Sequence, residues 1–293
     1  MRKRILVLAV FCITAVLAAC GHTQTQSTHH KLTVVTSLRV YQEAATEVLG
    51  THGTATAIIS NPNVDPHDFE ATTATGKLVA DADLVISNGL GYDDWLDKLA
   101  DAANPDAATL SVATDVLHRQ DGDNEHVFYD PTMMPALVQK LVKRFSQMDP
   151  KHKAAYQRNG AAYLKTLAPL TRLIKQLKNS GKQQIAASSE PVFDYGLKAA
   201  GYQLIDSAFA KSIEDGTDPT PKELTQLKRD LRSGKIDVFV NNEQSDSTIV
   251  NQVVTVAKKA GVTIVNVRET QPRGQTYVQW MMHNYKQLRD AQQ

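Results

Sequence analysis

An α/β fold of two lobes, each a mostly parallel sheet flanked by helices and the two joined by one long helix, is predicted by the rhythm of the sequence. Short β-branched runs alternate with segments of helical period in both halves of the chain, an order that builds parallel sheets. Between the halves, residues 152–180 keep an apolar stripe at helical spacing (Leu164, Leu167, Leu170, Leu173, Ile174, Leu177), interrupted by Gly160 and Pro169. About thirty residues of helix would reach about 40 Å, longer than most helices of globular domains. Pro169 is expected to kink it.

The elements follow in order. Strands are read at 32–36, 55–59 and 84–87, with a last piece of sheet or a turn at 112–117. Helices are read from the end of the first strand to Leu49, at 78–82, at 95–103 and at 132–148, the last with Met134, Leu137, Val138, Leu141, Val142 and Phe145 on one face. In the second half, strands fall at 184–188, 236–241 and 263–267, and helices at 192–200, 248–260 and 276–291. Thr220-Pro221-Lys222-Glu223 carries the signature of a helix start, with a capping threonine, a proline at the first position and a glutamate closing a capping box. No internal repeat is visible in the sequence. Asn88-Gly89-Leu90-Gly91 lacks the spacing of a nucleotide-binding loop and reads as turn chemistry. The expected organisation is a signal segment at 1–19, a tether at 20–31, a first lobe at 32–150, a linking helix at 151–182 and a second lobe at 183–293.

The N-terminus is read as a targeting segment. Arg2, Lys3 and Arg4 precede an apolar run of thirteen residues from Ile5 to Leu17, the length of a signal-peptide core and short for a membrane span. Leu17-Ala18-Ala19-Cys20 resembles the lipobox of bacterial lipoproteins, which implies cleavage before Cys20 and a lipid on its sulfur. Cys12 and Cys20 are the two cysteines of the chain. Loss of the first and acylation of the second leave no thiol to oxidise outside the cell and none to ligate a metal. Residues 21–31 are polar and aperiodic, and their His22, His29 and His30 read as parts of a solvated linker.

The 293 residues are 42% hydrophobic and 22% charged, an ordinary globular composition. The formal net charge is +1, and removing the three basic residues of the signal segment takes it to −2. No basic run argues for nucleic acid.

Candidate metal ligands stand in loops at or near strand ends. His67 lies in Asp65-Pro-His-Asp-Phe-Glu70, His126 in Asn124-Glu125-His126-Val-Phe-Tyr-Asp-Pro131, Glu190 directly follows Ser188-Ser189, and Glu269 follows the strand at 263–267. The first pair precedes the long helix and the second follows it, so one ion could be held by both lobes. Spacings of 59, 64 and 79 residues are too long for a local metal motif. From spacing alone, a surface or hydrogen-bonding role is the commoner reading for each, more so for the glutamates.

From about Leu32 to Leu288 the chain resembles the metal-binding lipoproteins, the substrate-binding proteins of zinc and manganese ABC importers that carry a rigid helix between lobes. The resemblance rests on the lipobox, Asp65-Pro-His-Asp-Phe-Glu70, Ser87-Asn-Gly-Leu-Gly-Tyr92 with Trp95-Leu-Asp-Lys-Leu99, and His126-Val-Phe-Tyr-Asp-Pro131. It continues in Ser189-Glu-Pro-Val-Phe193, Asn242-Glu-Gln244, and Glu269-Thr-Gln-Pro272 with Thr276-Tyr-Val-Gln-Trp-Met281. It implies His67, His126, Glu190 and Glu269 as ligands of one divalent ion, Mn²⁺ or Zn²⁺, a donor set also acceptable to Fe²⁺. It places Asn242 and Gln244 behind the ligands, orienting them. It implies no catalytic residue, an ABC permease with a separate ATPase as partner, a monomer, and attachment to the outer face of the cell membrane through Cys20. Two departures favour manganese. The stretch at 117–125 is short and holds only His118 where zinc members have a long His-rich loop, and Glu190 stands where many have a third histidine. Against that, donor affinity alone favours zinc. Asp68, Glu70, Glu125, Glu243 and Asp246 are competing carboxylates, with Glu243 the chief alternative to Glu269. The other functions to weigh are a siderophore-binding or adhesin lipoprotein of the same fold and a metal-dependent hydrolase, for which Asp65 or Glu125 would be the base.

Overall fold

The computed structural model describes residues 31–292 except 65, 67, 68, 181–183 and 246. The expected signal segment, Cys20, the tether and the ligand candidate His67 lie outside the described residues. Residues 32–293 form one compact unit.

That unit holds two four-stranded sheets, both wholly parallel. The first comprises β1 (Leu32–Leu38), β2 (Gly53–Ile59), β3 (Leu84–Ser87) and β4 (Ala108–Ser111), in the order β2-β1-β3-β4. The second comprises β5 (Gln184–Ser188), β6 (Tyr202–Leu204), β7 (Val238–Asn242) and β8 (Thr263–Val267), in the order β6-β5-β7-β8. The two lobes therefore repeat one topology that the sequence does not betray. In each, the strand order reverses between the first and third strands, and the crevice beyond the strand ends at such a point is where open α/β sheets bind ligands.

The helices of the first lobe are α1 (Arg39–Leu49), α2 (Thr73–Ala80), α3 (Asp94–Ala103) and α4 (Met133–Met148). Two helices, α5 (Lys153–Thr166) and α6 (Ala168–Lys178), stand where one was expected. The break falls at Leu167, and Pro169 explains it. Proline has no N–H to donate and its ring crowds the carbonyl of Lys165, four residues back. Leu167 instead bonds to the Leu164 carbonyl at 3.3 Å, three residues back, and Thr171 takes up the Leu167 carbonyl at 3.1 Å. The stripe survives the break: Leu167, Leu170, Leu173, Ile174 and Leu177 are all buried. Gly160 is no interruption. It sits inside α5, where a Cβ would come 2.5 Å from Val142 of α4, so glycine permits that close helix approach.

The second lobe carries α7 (Asp194–Ala199), α8 (Ser207–Glu214), α9 (Pro221–Arg232), α10 (Thr248–Lys259) and α11 (Tyr277–Ala291). Thr220 caps α9 as expected: its hydroxyl accepts from Glu223 N, and the Glu223 carboxylate accepts from Thr220 N at 2.8 Å. The sequence reading missed β6 and α8. It also put the end of the first sheet at 112–117, whereas the strand is 108–111 and residues 112–116 form a π-helical turn.

Side-chain alternation along the strands sorts the core. Val34, Leu84 and Ile86 of the first sheet share one apolar cluster with Val238, Val240 and Val265 of the second, with α6 and with Trp280 and Tyr285 of α11. Val35 and Val85 face a separate cluster under α2 and α3, and Ala187 and Phe239 another under α9 and α10. Sheets covered on both faces explain strands that read as apolar runs.

Candidate metal centre

The loops that leave the C-terminal ends of the strands converge between the lobes. His126 precedes a 3-10 turn at Val127–Tyr129 and is fully buried, its relative exposure 0%. Glu190 lies two residues beyond β5 and Glu269 two beyond β8; they are 8% and 2% exposed. Carboxylates are rarely so buried without a partner. The His126 Nε2 stands 3.6 Å from Glu269 Oε2, which also accepts from Tyr92 Oη at 3.3 Å.

The protonation of His126 follows from its neighbour. Asn124 Nδ2 donates to the Pro191 carbonyl at 2.7 Å, which fixes the amide orientation. Asn124 Oδ1 then accepts from both the backbone N–H and Nδ1 of His126, each at 2.9 Å. Nδ1 therefore carries the proton in the neutral ring, and Nε2 presents its lone pair to the carboxylates, the arrangement a metal-binding histidine needs.

One side chain joins the two carboxylates. Asn242, at the end of β7, sends Nδ2 to Glu190 Oε2 at 2.5 Å and to Glu269 Oε1 at 2.8 Å. Gln244 Oε1 accepts from Glu269 N at 2.7 Å, and its Nε2 donates to the Val64 carbonyl at 3.2 Å, in the loop that carries His67. Arg268 and Thr270, on either side of Glu269, reach the Pro62 carbonyl at 3.0 and 2.8 Å. The Glu269 loop is thus bonded to the opposite lobe on both sides of the carboxylate. Glu243 turns away: it is 42% exposed and pairs with Arg268 at 3.5 Å. Glu70 is exposed, and Asp68 and Asp246 lie outside the described residues.

Burial and mutual charge shift the acid and the base here in the same direction. Burial holds the Glu190 carboxyl above its ordinary range, and the Glu269 charge adds to this, outweighing the amide of Asn242. For His126, burial opposes the charged form, yet the nearby carboxylates of Glu269, Glu214 and Glu125 raise its pKa on balance.

Glu214 went unread in the sequence. It ends α8, its side chain is 7% exposed, and Oε1 lies 3.5 Å from His126 Nε2. Donor atoms of Glu125, His126 and Glu214 all fall within 4.8 Å of one another. One glutamate in a segment whose helix went unrecognised gives no sequence signal.

Two like lobes with imidazole and carboxylate donors gathered between them define an α/β binding protein with a site for a small cation. The chain belongs to the family of the periplasmic zinc-uptake complex component A (ZnuA), whose family model matches residues 34–291. It is 27% identical to the metal ABC transporter substrate-binding lipoprotein ScbA of Streptococcus cristatus, over 98% of each chain. It is 26% identical to the manganese-binding lipoprotein MntA of Halalkalibacterium halodurans, over 97% of each. Among solved structures, the periplasmic zinc-binding protein TroA of Treponema pallidum shares the fold with a TM-score of 0.75 at 16% identity, covering 90% of this chain and 99% of that one. The substrate-binding protein FpvC of Pseudomonas aeruginosa, solved with Mn²⁺, gives 0.73 at 20% identity, covering 89% and 98%.

Proposed function

We propose that this protein captures one divalent transition-metal ion, manganese or zinc, outside the cell membrane and delivers it to an ABC importer, with His67, His126, Glu190 and Glu269 as ligands. The observation that carries the reading is the pairing of Glu190 and Glu269 through Asn242, with His126 Nε2 turned toward the same carboxylates. Two imidazoles and two carboxylates hold an ion that is to be carried by protein donors alone, where a catalytic metal keeps a position for a reacting water. The protein therefore acts by binding, as a transport component, and not as a hydrolase. Both relatives are named lipoproteins, and ScbA is named as the substrate-binding lipoprotein of a metal ABC transporter; Cys20 supplies the lipid attachment to the extracytoplasmic face. The partner is a permease with its own ATPase, on which the chain docks as a monomer. Residues 151–182 serve as the link between lobes at 32–150 and 183–293.

The test is metal content. The full chain, purified in detergent without chelator, should carry one ion. His126→Ala and Glu269→Ala should each lose it, and competition between Mn²⁺ and Zn²⁺ decides the cargo. An ion retained by both variants would move the site elsewhere.

A further inference from the structure

Glu214 is placed where a carboxylate is doubly disfavoured. It is the last residue of α8, where the partial negative charge of the helix end repels it, and it is buried against the acidic centre just described. A divalent cation bound beside it would offset both costs. Donors bonded to one ion at about 2.1 Å stand roughly 3 to 3.5 Å apart. Glu214 Oε1 lies at the upper end of that spacing from His126 Nε2, at 3.5 Å, and Glu269 Oε2 just beyond it, at 3.6 Å.

We propose that Glu214 is a further oxygen ligand of the transported ion and biases the site toward manganese over zinc. This rests on the metal-carrying function proposed above. At a fixed set of donors zinc binds more tightly than manganese, so selection for manganese must come from the number and hardness of the donors. Two imidazoles and two carboxylates satisfy tetrahedral zinc. An additional charged oxygen brings zinc little, whereas manganese favours higher coordination and carboxylate oxygen. Glu214 is carried by α8, an element separate from the loops that bear Glu190 and Glu269, and its donor atom groups with those of His126 and Glu125.

The experiment uses the full chain in detergent, stripped of metal and titrated with Mn²⁺ and with Zn²⁺. Glu214→Ala should weaken Mn²⁺ by at least about tenfold, the loss typical when even an outer partner of a metal ligand is removed, and Zn²⁺ far less. Glu214→Gln, which keeps an oxygen without its charge, should fall between. Loaded with Co²⁺, the wild type should show the weak visible bands of a five- or six-coordinate ion, and Glu214→Ala the stronger bands of a tetrahedral one. Equal losses for both metals, or unchanged affinities and spectra, would overturn the proposal. Glu269→Ala, run alongside, must lose both ions. A wild type that takes up neither metal would instead bring down the metal-carrying function, and this inference with it.

Discussion

Asn242 Nδ2 lies 2.8 Å from Glu269 Oε1 while bonded also to Glu190, so one amide holds two buried carboxylates of the second lobe in register. Outer partners of this kind fix the direction of a ligand's lone pairs. Replacing Asn242 by Ala should lower metal affinity by about 10- to 100-fold with stoichiometry preserved. Calorimetric titration checks this, and an unchanged affinity would leave Asn242 as a strand-end cap.

Acid should release the ion. With the pKa values of His126 and Glu190 both raised in the metal-free protein, protons compete with the metal from a higher pH than at free imidazole and carboxylate. The sign is fixed: metal binding expels protons, so affinity falls as pH falls. Binding heats measured in two buffers of different ionisation enthalpy should reveal net proton release near neutral pH. Identical heats would show that the groups are already deprotonated.

Glu43 of α1 should matter out of proportion to its distance from the ion. Its carboxylate accepts from Tyr163 Oη of α5 at 2.6 Å, from Gln271 Nε2 at 2.6 Å and from Tyr277 N at the start of α11 at 2.8 Å. Hydrogen bonds to a charged group each contribute about 1.5 to 3 kcal/mol. Glu43→Ala should therefore cost about 2 to 4 kcal/mol in urea unfolding. Metal binding should weaken too, since Gln271 lies two residues beyond Glu269. A loss of stability with normal metal affinity would separate the two roles.

Two helical glycines should respond oppositely to alanine. Gly160→Ala drives a methyl to 2.5 Å from Val142 Cγ2 and should destabilise by about 1 to 3 kcal/mol. At Gly76 of α2 the nearest atom to a new Cβ is 3.7 Å away, on Leu99. Gly76→Ala should therefore gain up to about 1 kcal/mol of helix propensity. Thermal melts of both variants decide the matter, and equal signs would contradict the packing described.

Much of this was legible before any coordinates. The apolar runs at 84–87 and 263–267 are strands with the bounds read from them, and the Thr220 capping box closes as written. Such features depend on neighbours in sequence. Tyr202–Leu204 is too short to show a period, and α8 begins after Asp206 in a left-handed conformation with no side-chain cap. Nothing local announces either. Glu214 escaped with them. The candidates at 126, 190 and 269 stand out as loop residues near strand ends, but only the resemblance ties them to one ion, because residues separated by dozens of positions share no period. Their meeting depends on two sheets of identical strand order, a symmetry with no trace in the amino acids.

The apolar cluster that runs from Val34 through α6 to Val265 has a consequence for how a loaded molecule is told from an empty one. Core packing is dense and deforms little, so neither half can swing away without tearing that shared interior. Occupancy should then show at the rim, in the stretch around Pro62 and Val64 and in the turn that bears Glu269, which are bonded to each other across the lobes. On this packing, loaded and empty molecules should differ at the rim more than in silhouette.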